Sequence, residues 1–282
     1  MQLKMMNHVL AAIAAIAVVA SVVGQAQDLP LDPETNGIEI GQEAMATLHQ
    51  RIAPNRGREL INSLEVHTRT LIKGEAIDTQ TIWRKPLDLS TRTASKSSAL
   101  ERGFVGGRGW SGSQLLEGDE ARRIAPTFCL PLTLLNLNAF YPVAEATGVI
   151  IFRGRRALRV QLHDGKSDSD HMAWIYLDRT HGLPLGMVFQ SPVGINLHQT
   201  TVYLDKWRPG GGVILPYRIE ILPESGGRRV EIVRAISANI VNDRAFEPAI
   251  DGWNATPESP GTTQSESSGS DPALPNEPSD SE

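Results

Sequence analysis

Two spacings of apolar residues divide the middle of the chain into one helical stretch and a long series of strands. Met45, Leu48 and Ile52 recur at three- and four-residue intervals, the period of a helix with one buried side. From Leu64 onward the period changes to two, as in a half-buried strand. Asn36-Gly37 indicates a turn ahead of the helix. The pattern predicts a helix over 41–52 and a mainly β region after it.

The predicted strands are separated by Gly- and Pro-containing turns. They cover 64–72, 77–83, 87–93, 148–153, 157–162, 172–177, 185–190, 199–207, 213–222 and 229–235. The Gly-rich stretch 104–110 predicts a tight hairpin, and 126–140, apolar on most sides, predicts a short helical segment. Strands do not alternate with helices, so a parallel sheet is disfavoured, and about ten consecutive strands tend to curve. The expected fold is mainly β (α+β): a strongly curved antiparallel β-sheet, or half-barrel, covered by short helices.

The N-terminus reads as a secretory signal peptide over residues 1–26. Lys4 supplies a positive start, residues 9–23 are apolar or small, and Gly24-Gln25-Ala26 offers a cleavage site before Gln27. The apolar run is shorter than the roughly 20 residues that span a bilayer. An uncleaved anchor is the alternative, but we expect no stable membrane span after cleavage. The protein is therefore expected to be exported, to the periplasm or as a secreted protein.

The remaining chain divides into a leading segment, one domain and a tail. Residues 27–40 lead into the domain, 41–253 form it, and 254–282 are rich in Ser, Pro, Gly and acids without an aromatic or basic residue. Such a tail cannot bury enough apolar surface to offset its ordering entropy, so disorder is expected. The formal net charge is −5, and the tail carries six carboxylates. The body is therefore close to neutral, which gives no basis for nucleic-acid binding.

No stretch of the sequence demands a particular chemistry. The run 163–171 collects three Asp and two His but lacks the spacing of a calcium loop, so a solvated turn explains it equally well. The run 109–113 lacks the final Gly of a nucleophile elbow, and 103–109 is better explained as bent hairpin backbone than as a phosphate loop. Cys129 is expected to be a small buried hydrophobe. We therefore expect no enzyme, no metal and no cofactor.

Several short motifs, in this order, resemble the LolA-like superfamily of periplasmic lipoprotein carriers and sorting proteins. They are Thr81-Ile82-Trp83-Arg84-Lys85-Pro86, Gly107-Arg108-Gly109-Trp110, Gly154-Arg155-Arg156-Ala157-Leu158-Arg159-Val160, Ile175-Tyr176-Leu177-Asp178 with Gly182-Leu183-Pro184, Val213-Ile214-Leu215-Pro216-Tyr217-Arg218-Ile219 and Ala245-Phe246-Glu247-Pro248. Together they cover about 41–248, as a divergent member would. The resemblance implies a half-barrel lidded by helices that holds acyl chains without catalysis.

The resemblance also assigns a role to the basic pair before Pro86. The carrier family has an Arg immediately before this Pro, tied to closing the lid; here Lys85 holds that place and Arg84 precedes it. Arg84 and Lys85 are therefore candidates for lid closing, although Lys lacks the bidentate geometry of Arg. The tail is also foreign to the carrier pattern. Consequently the fold transfers more readily than the task.

Two functions follow from this reading. The first is an exported binding protein whose apolar cavity holds a hydrophobic ligand such as lipid or lipoprotein acyl chains. Its candidate lining residues are the expected inward positions Val66, Ile82, Trp83, Trp174 and Tyr176, although alternation alone does not say which face is inward. The second is an envelope protein-interaction or sensing module with a filled interior. A plain packed core would produce the same periodicity.

Overall fold

The computed structural model describes residues 36–55, 57–72, 74–96, 98–165, 172–193, 196–224, 226–240, 243–248, 250 and 253. The predicted signal peptide, most of the leading segment and the acidic tail lie outside the described residues. Within those ranges, no helix is both long enough and apolar enough to span a bilayer.

The helices are short except for the first. They are α1 (Gly37–Ile52), α2 (Gly57–Leu60), α3 (Gly118–Ile124), α4 (Leu130–Leu135) and α5 (Leu137–Phe140), with 3-10 turns at Ala125–Thr127 and Asp243–Phe246. Helix α1 begins earlier than the sequence pattern indicates, because Asn36 is its N-cap rather than part of a free turn. The Asn36 side-chain oxygen accepts hydrogen bonds from the backbone N–H groups of Ile38 (3.1 Å) and Glu39 (3.3 Å).

A single antiparallel sheet of 13 strands makes up more than half of the described residues. The strands are β1 (Ser63–Ile72), β2 (Glu75–Arg84), β3 (Asp88–Ala94), β4 (Ala99–Val105), β5 (Arg108–Ser111), β6 (Gln114–Leu116), β7 (Val143–Phe152), β8 (Arg155–His163), β9 (Met172–Asp178), β10 (Pro184–Val193), β11 (Asn196–Gly210), β12 (Val213–Pro223) and β13 (Arg229–Ala238). Their order is β6-β5-β4-β3-β2-β1-β13-β12-β11-β10-β9-β8-β7. The two ends of this order, β6 and β7, do not pair with each other, so the sheet is an open half-barrel.

The predicted fold class is confirmed, with differences in detail. The Gly-rich stretch is the hairpin of β4 and β5, and Gly106 and Gly107 adopt positive φ angles of 57° and 87° at its tip. The predicted helical segment at 126–140 is a succession of short turns rather than one helix. Helix α3 and strand β6 were not predicted, because a few residues are too short to establish a period.

The concave face of the sheet carries the core. Its inward side chains pack with α1 and with the helical layer formed by residues 118–140, and buried residues from both belong to one continuous apolar cluster. Helix α1 lies close against β7. A Cβ atom at Gly41 would stand 2.5 Å from the carbonyl oxygen of Ala144, so only glycine permits this approach. The helices therefore cover the concave face, and the opposite convex face is left to other segments.

Candidate ligand-binding cavity

A cavity of about 560 Å³ lies between the concave face of the sheet and the helical layer. Ligand pockets in proteins commonly measure ~300–1,000 Å³. Its lining residues come from β1 to β4, from the helical layer and from β10 to β13. They are Thr68, Thr70, Ile72, Ile77, Thr79, Thr81, Thr93, Arg102, Ile124, Thr127, Phe128, Cys129, Leu130, Phe189, Thr200, Ile221, Pro223, Arg229 and Glu231.

Threonine dominates the strand side of this cavity. Thr68 and Thr70 on β1 and Thr79 and Thr81 on β2 all line it, since residues two apart share a face of the sheet, and Thr68 lies directly opposite Thr79. Some of the hydroxyls pair across strands: Thr91 Oγ1 donates to Thr81 Oγ1 at 3.1 Å. Threonine keeps the branched shape that suits a strand while adding a hydroxyl. The wall is therefore mixed in polarity, whereas we expected an apolar one.

The helical side of the cavity is more apolar. Phe128, Cys129 and Leu130 line it, and Phe189 and Ile221 complete this wall from the sheet. Cys129 is a free, buried thiol. Burial raises the pKa of Cys129 to about 12, so its thiol stays protonated and behaves as a small hydrophobe.

Three charged residues of the described ranges line the cavity: Arg102 on β4, and Arg229 and Glu231 on β13. Arg229 Nε lies 3.9 Å from Glu231 Oε1. Burial raises the pKa of Glu231, and the positive charges of Arg229 and Arg102 partly oppose that rise. Burial likewise lowers the pKa of Arg102, with the charge of Arg229 acting in the same direction. The cavity thus combines one carboxyl with two guanidinium groups.

The cavity opens toward the hairpin of β1 and β2. Ile72, which lines it, is 39% exposed. Large apolar side chains at the rim of a hollow are a common feature of surfaces that take up apolar ligands.

Two of the predicted lining residues lie on the concave face. Val66 and Trp83 are buried and belong to the core cluster. Val66 lies two positions before Thr68 on β1, and Trp83 two positions after Thr81 on β2, so both sit deeper than the cavity along the same face. They form packed floor beyond its inner end, and contact with a ligand remains a prediction for them.

The other three lie on the convex face, whereas we expected them to point inward. Ile82 directly precedes Trp83, so it must project to the opposite side. Trp174 and Tyr176 alternate with Ala173 and Ile175, which are both in the core cluster.

Convex-face partners account for two of these side chains. Tyr176 stacks on Phe152 with ring centroids 4.1 Å apart. Ile82 shares a convex-side hollow with Ala245 and Pro248 near the C-terminal end of the described chain. Their apolar bulk therefore packs against neighbouring segments on that face.

The basic pair Arg84 and Lys85 holds other parts of the chain. Arg84 Nη2 binds Asp88 Oδ2 at 2.7 Å, Arg84 Nη1 binds Asp243 Oδ1 at 2.8 Å, and the guanidinium lies 4.2 Å from the ring centroid of Phe246. Lys85 Nζ donates to the carbonyl oxygen of Glu59 at 2.9 Å. These contacts attach the C-terminal 3-10 turn and α2 to the sheet, and the role of the pair in lid closing stays a prediction.

A second hollow, of about 630 Å³, lies on the convex side of β1 to β3 and β13. Its prominent side chains are charged and pair with one another or with neighbours. Arg69 binds Asp78 with two hydrogen bonds of 2.6 and 2.8 Å, and Arg92 lies 3.5 Å from Glu101. Such exposed pairs are solvated surface features, so the concave cavity is the better candidate site.

The described residues bear on two kinds of catalytic motif, a metal site and a nucleophile elbow. They contain no group of three or more His, Cys, Asp or Glu side chains placed to hold a metal ion. Ser111 ends β5 and pairs with Gln114 across the next hairpin, which is not the strand-to-helix turn of a hydrolase. Most of the candidate cation loop at 163–171 lies outside the described residues.

Sequence reasoning missed Arg102 and the threonines. A signal for the latter was present: threonine recurs at every second position in three consecutive predicted strands, at 68 and 70, 79 and 81, and 91 and 93. Arg102 gave no comparable signal, because it precedes the Gly-rich hairpin as one basic residue among many.

Solved structures share this architecture, although no protein-family model and no curated protein matches the sequence. A LolA superfamily protein from Nitrosomonas europaea matches with a TM-score of 0.53 and 13% identity, covering 75% of this chain and 97% of that chain. A DUF1329 family protein from Desulfovibrio piger matches with a TM-score of 0.51 and 9% identity, covering 76% of this chain and 98% of that chain. The chain therefore has the LolA-like fold, in a form far diverged in sequence.

Proposed function

We propose that this protein is a non-catalytic binding protein of the cell envelope that holds a hydrophobic ligand, such as lipid or lipoprotein acyl chains, in the concave cavity. The observation that carries the proposal is the cavity itself, about 560 Å³ between the sheet and the helical layer. A packed core would leave no space of this size, since protein interiors pack like organic crystals.

Three further features support this proposal. Apolar side chains from the helical layer form one wall, and the partly exposed side chain of Ile72 stands at the opening. The predicted signal peptide would deliver the protein to the envelope, where acyl chains need a shielded path through water. The LolA-like fold is compatible with such a task, although a fold alone does not assign one.

The test is gentle native mass spectrometry on the mature protein from its own envelope fraction, together with extraction into organic solvent. We expect an adduct of several hundred daltons, at about one per protein, that extracts as lipid. The purified protein should also bind an environment-sensitive fatty-acid probe.

A matched pair of variants locates the binding. Thr79→Phe places a ring in the cavity and should abolish probe binding, whereas Ala76→Phe adds the same ring to an exposed convex-face position of the same strand and should leave binding unchanged. Equal binding by both variants would place the ligand elsewhere. A bare mass with no probe binding would contradict the proposal and favour the interaction or sensing module instead.

A further inference from the structure

We infer that the ligand of this cavity is an amphiphile with an anionic head group, and that Arg102 is the residue that binds the head. This inference rests on the proposed function and specifies the class of ligand. A neutral amphiphile, such as a long-chain alcohol or ester, would be a poorer occupant.

The first step is the charge of the cavity wall. Among the described residues, those that are charged and line the cavity are Arg102, Arg229 and Glu231, and Arg229 lies 3.9 Å from Glu231. One carboxylate cannot neutralise two guanidinium groups, so the wall keeps one positive charge even when Glu231 is ionised. Protonation of Glu231 would leave two. A ligand anion would complete the balance, since charges in partly dry sites are stable only when compensated.

The second step is the environment of Arg102. Its guanidinium carbon lies over the ring of Phe128 in the helical layer, 5.1 Å from the ring centroid, which is a cation–π contact. Its Nε atom is buried and has no hydrogen-bond partner among the described residues. An arginine fork suits carboxylate and phosphate groups, because it can donate two parallel hydrogen bonds to them.

The third step is the distribution of polarity around this arginine. Arg102 is the cross-strand partner of Thr91, and Thr93 lies two residues further along the same strand face. The threonine hydroxyls of β1 to β3 therefore flank the arginine, while Phe128, Cys129 and Leu130 form the opposing wall. The hydroxyls suit a polar head or an ester beside it, and the apolar wall suits a chain. A lipid head group and a free fatty acid share this chemistry.

The experiment measures how well four ligands with similar chains displace the environment-sensitive fatty-acid probe, each kept below its critical micelle concentration or, for the alcohol, below its solubility limit. They are palmitate, hexadecanol, palmitoyl lysophosphatidic acid and hexadecyltrimethylammonium. We expect the two anions to bind about 10-fold or more tightly than hexadecanol, and the cation to bind weakest. Whichever anion binds more tightly identifies the source as a free fatty acid or a phospholipid head.

Substitutions then assign the effect to Arg102. Arg102→Gln should bring palmitate and hexadecanol to within about 3-fold of each other, whereas Arg102→Lys should retain part of the preference. Arg92→Gln is the matched control, because Arg92 lies on the neighbouring strand, is exposed on the convex face and pairs with Glu101. It should bind all four ligands as the unmodified protein does. Thermal melting by circular dichroism verifies that each variant is folded.

The outcomes separate this inference from the proposed function. Equal affinity of the unmodified protein for palmitate and hexadecanol would overturn the anionic preference while leaving an acyl-binding cavity in place. A preference that survives in folded Arg102→Gln would overturn the role of Arg102. If neither palmitate nor hexadecanol binds, the proposed function itself fails. The ligand comparison on the unmodified protein decides the main point even if a variant does not fold.

Discussion

The two ends of the concave face are built on the same strand geometry but filled differently. We call β7 to β9 the packed half, and β1 to β4 together with the neighbouring β13 the hollow half. In the packed half the inward residues are aliphatic, as at Val160, Leu162 and Ile175, and each is at most 1% exposed. In the hollow half the corresponding positions toward the open end carry threonine. Valine and threonine have nearly the same shape, so both halves form regular strands. Only the packed half fills its interior with apolar side chains.

The difference shows how a fold can retain a cavity without losing its sheet. Strand pairing in the hollow half is complete, with β1 paired along its length with β2 and β2 with β3. Stability there comes from the ladder and from the deeper residues Leu64, Val66 and Trp83, which are all in the core cluster. The hollow half can therefore stay open because its floor is packed.

The largest expected effect tests this difference by shortening one side chain in each half. Leu162→Ala should lower the free energy of unfolding by about 3 kcal/mol, because a closely packed site cannot collapse around the missing atoms. Thr70→Ala should cost less than about 1 kcal/mol, since Thr70 already borders open space. Urea denaturation measures both. Similar losses from the two substitutions would show that the halves are packed alike.

The next effect concerns two carboxyl groups, one in each half, whose pKa values are shifted in opposite directions. Burial alone would raise the pKa of Asp178 in the packed half, but the N–H groups of Thr180 and His181 and the charge of Arg155 lower it below its usual value. Burial raises the pKa of Glu231 in the hollow half. The folded protein therefore stabilises the charged form of Asp178 and disfavours the charged form of Glu231.

These shifts predict opposite dependences of stability on pH. Asp178→Asn should cost about 2 kcal/mol at neutral pH, the usual value of hydrogen bonds to a charged group. That difference should persist above the unfolded pKa near 3.8 and fade as the pH falls through the lowered folded pKa. For Glu231 the sign is reversed: the stability of the unmodified protein relative to Glu231→Gln should be greatest below pH 4.5, the unfolded pKa. It should fall as the pH rises through the raised folded pKa. Urea titrations across pH check both, and slopes of the same sign would contradict the contrast.

A smaller effect tests how tightly α1 seals the packed half. Gly41→Ala would normally stabilise a helix, yet here it should destabilise the protein by about 1.5 kcal/mol, because the new methyl group meets the backbone of β7. Ala46→Gly, the reverse change at an exposed position of the same helix, should cost about 1 kcal/mol through helix propensity. Thermal unfolding compares the pair. Stabilisation by Gly41→Ala would mean that the helix stands further from the sheet.

The smallest expected effect concerns the paired hydroxyls of the hollow half. Thr81→Val alone should cost about 1 kcal/mol, because it leaves the buried hydroxyl of Thr91 without its partner. The double change Thr81→Val with Thr91→Val should recover most of that loss, since both polar groups are removed together. A double-mutant cycle in urea measures the coupling. Additive losses would show that the two hydroxyls act independently.

The sequence predicts the strands well because their period of two is a local property. Nearly every predicted strand lies within an observed one, and α1 is recognisable from Met45, Leu48 and Ile52, although its start is not. Asn36-Gly37 predicts a turn, whereas in the structure Asn36 is the N-cap of α1. The two are hard to distinguish because Asn favours both turns and N-caps. Short segments such as α3 and β6 offer too few residues for any period.

The candidate site was less accessible to sequence reasoning because it depends on which face of each strand points inward. Alternation assigns Ile82 and Trp83 to opposite faces, but only the packing of the helical layer decides which face is concave. Aromatic bulk suggested Trp174 and Tyr176 as lining residues, whereas the structure uses that bulk outside. The charged lining arises from β4 and β13, whose proximity depends on sheet order and helical cover.

The contacts of Trp253 determine which side of the protein faces a surface to which its C-terminal end is attached. Its ring meets Trp110 edge-on with centroids 4.9 Å apart, and its carbonyl oxygen accepts a hydrogen bond of 2.8 Å from Arg108. Trp110 lies across Gly103, where a Cβ atom would stand 1.9 Å from the indole, on the face that also carries Ile82. The last described residue is thus fastened to the side of the sheet opposite the cavity. A surface tether or reporter dye joined directly after this point would leave the opening turned toward solution, an orientation suited to capturing ligands on a sensor chip.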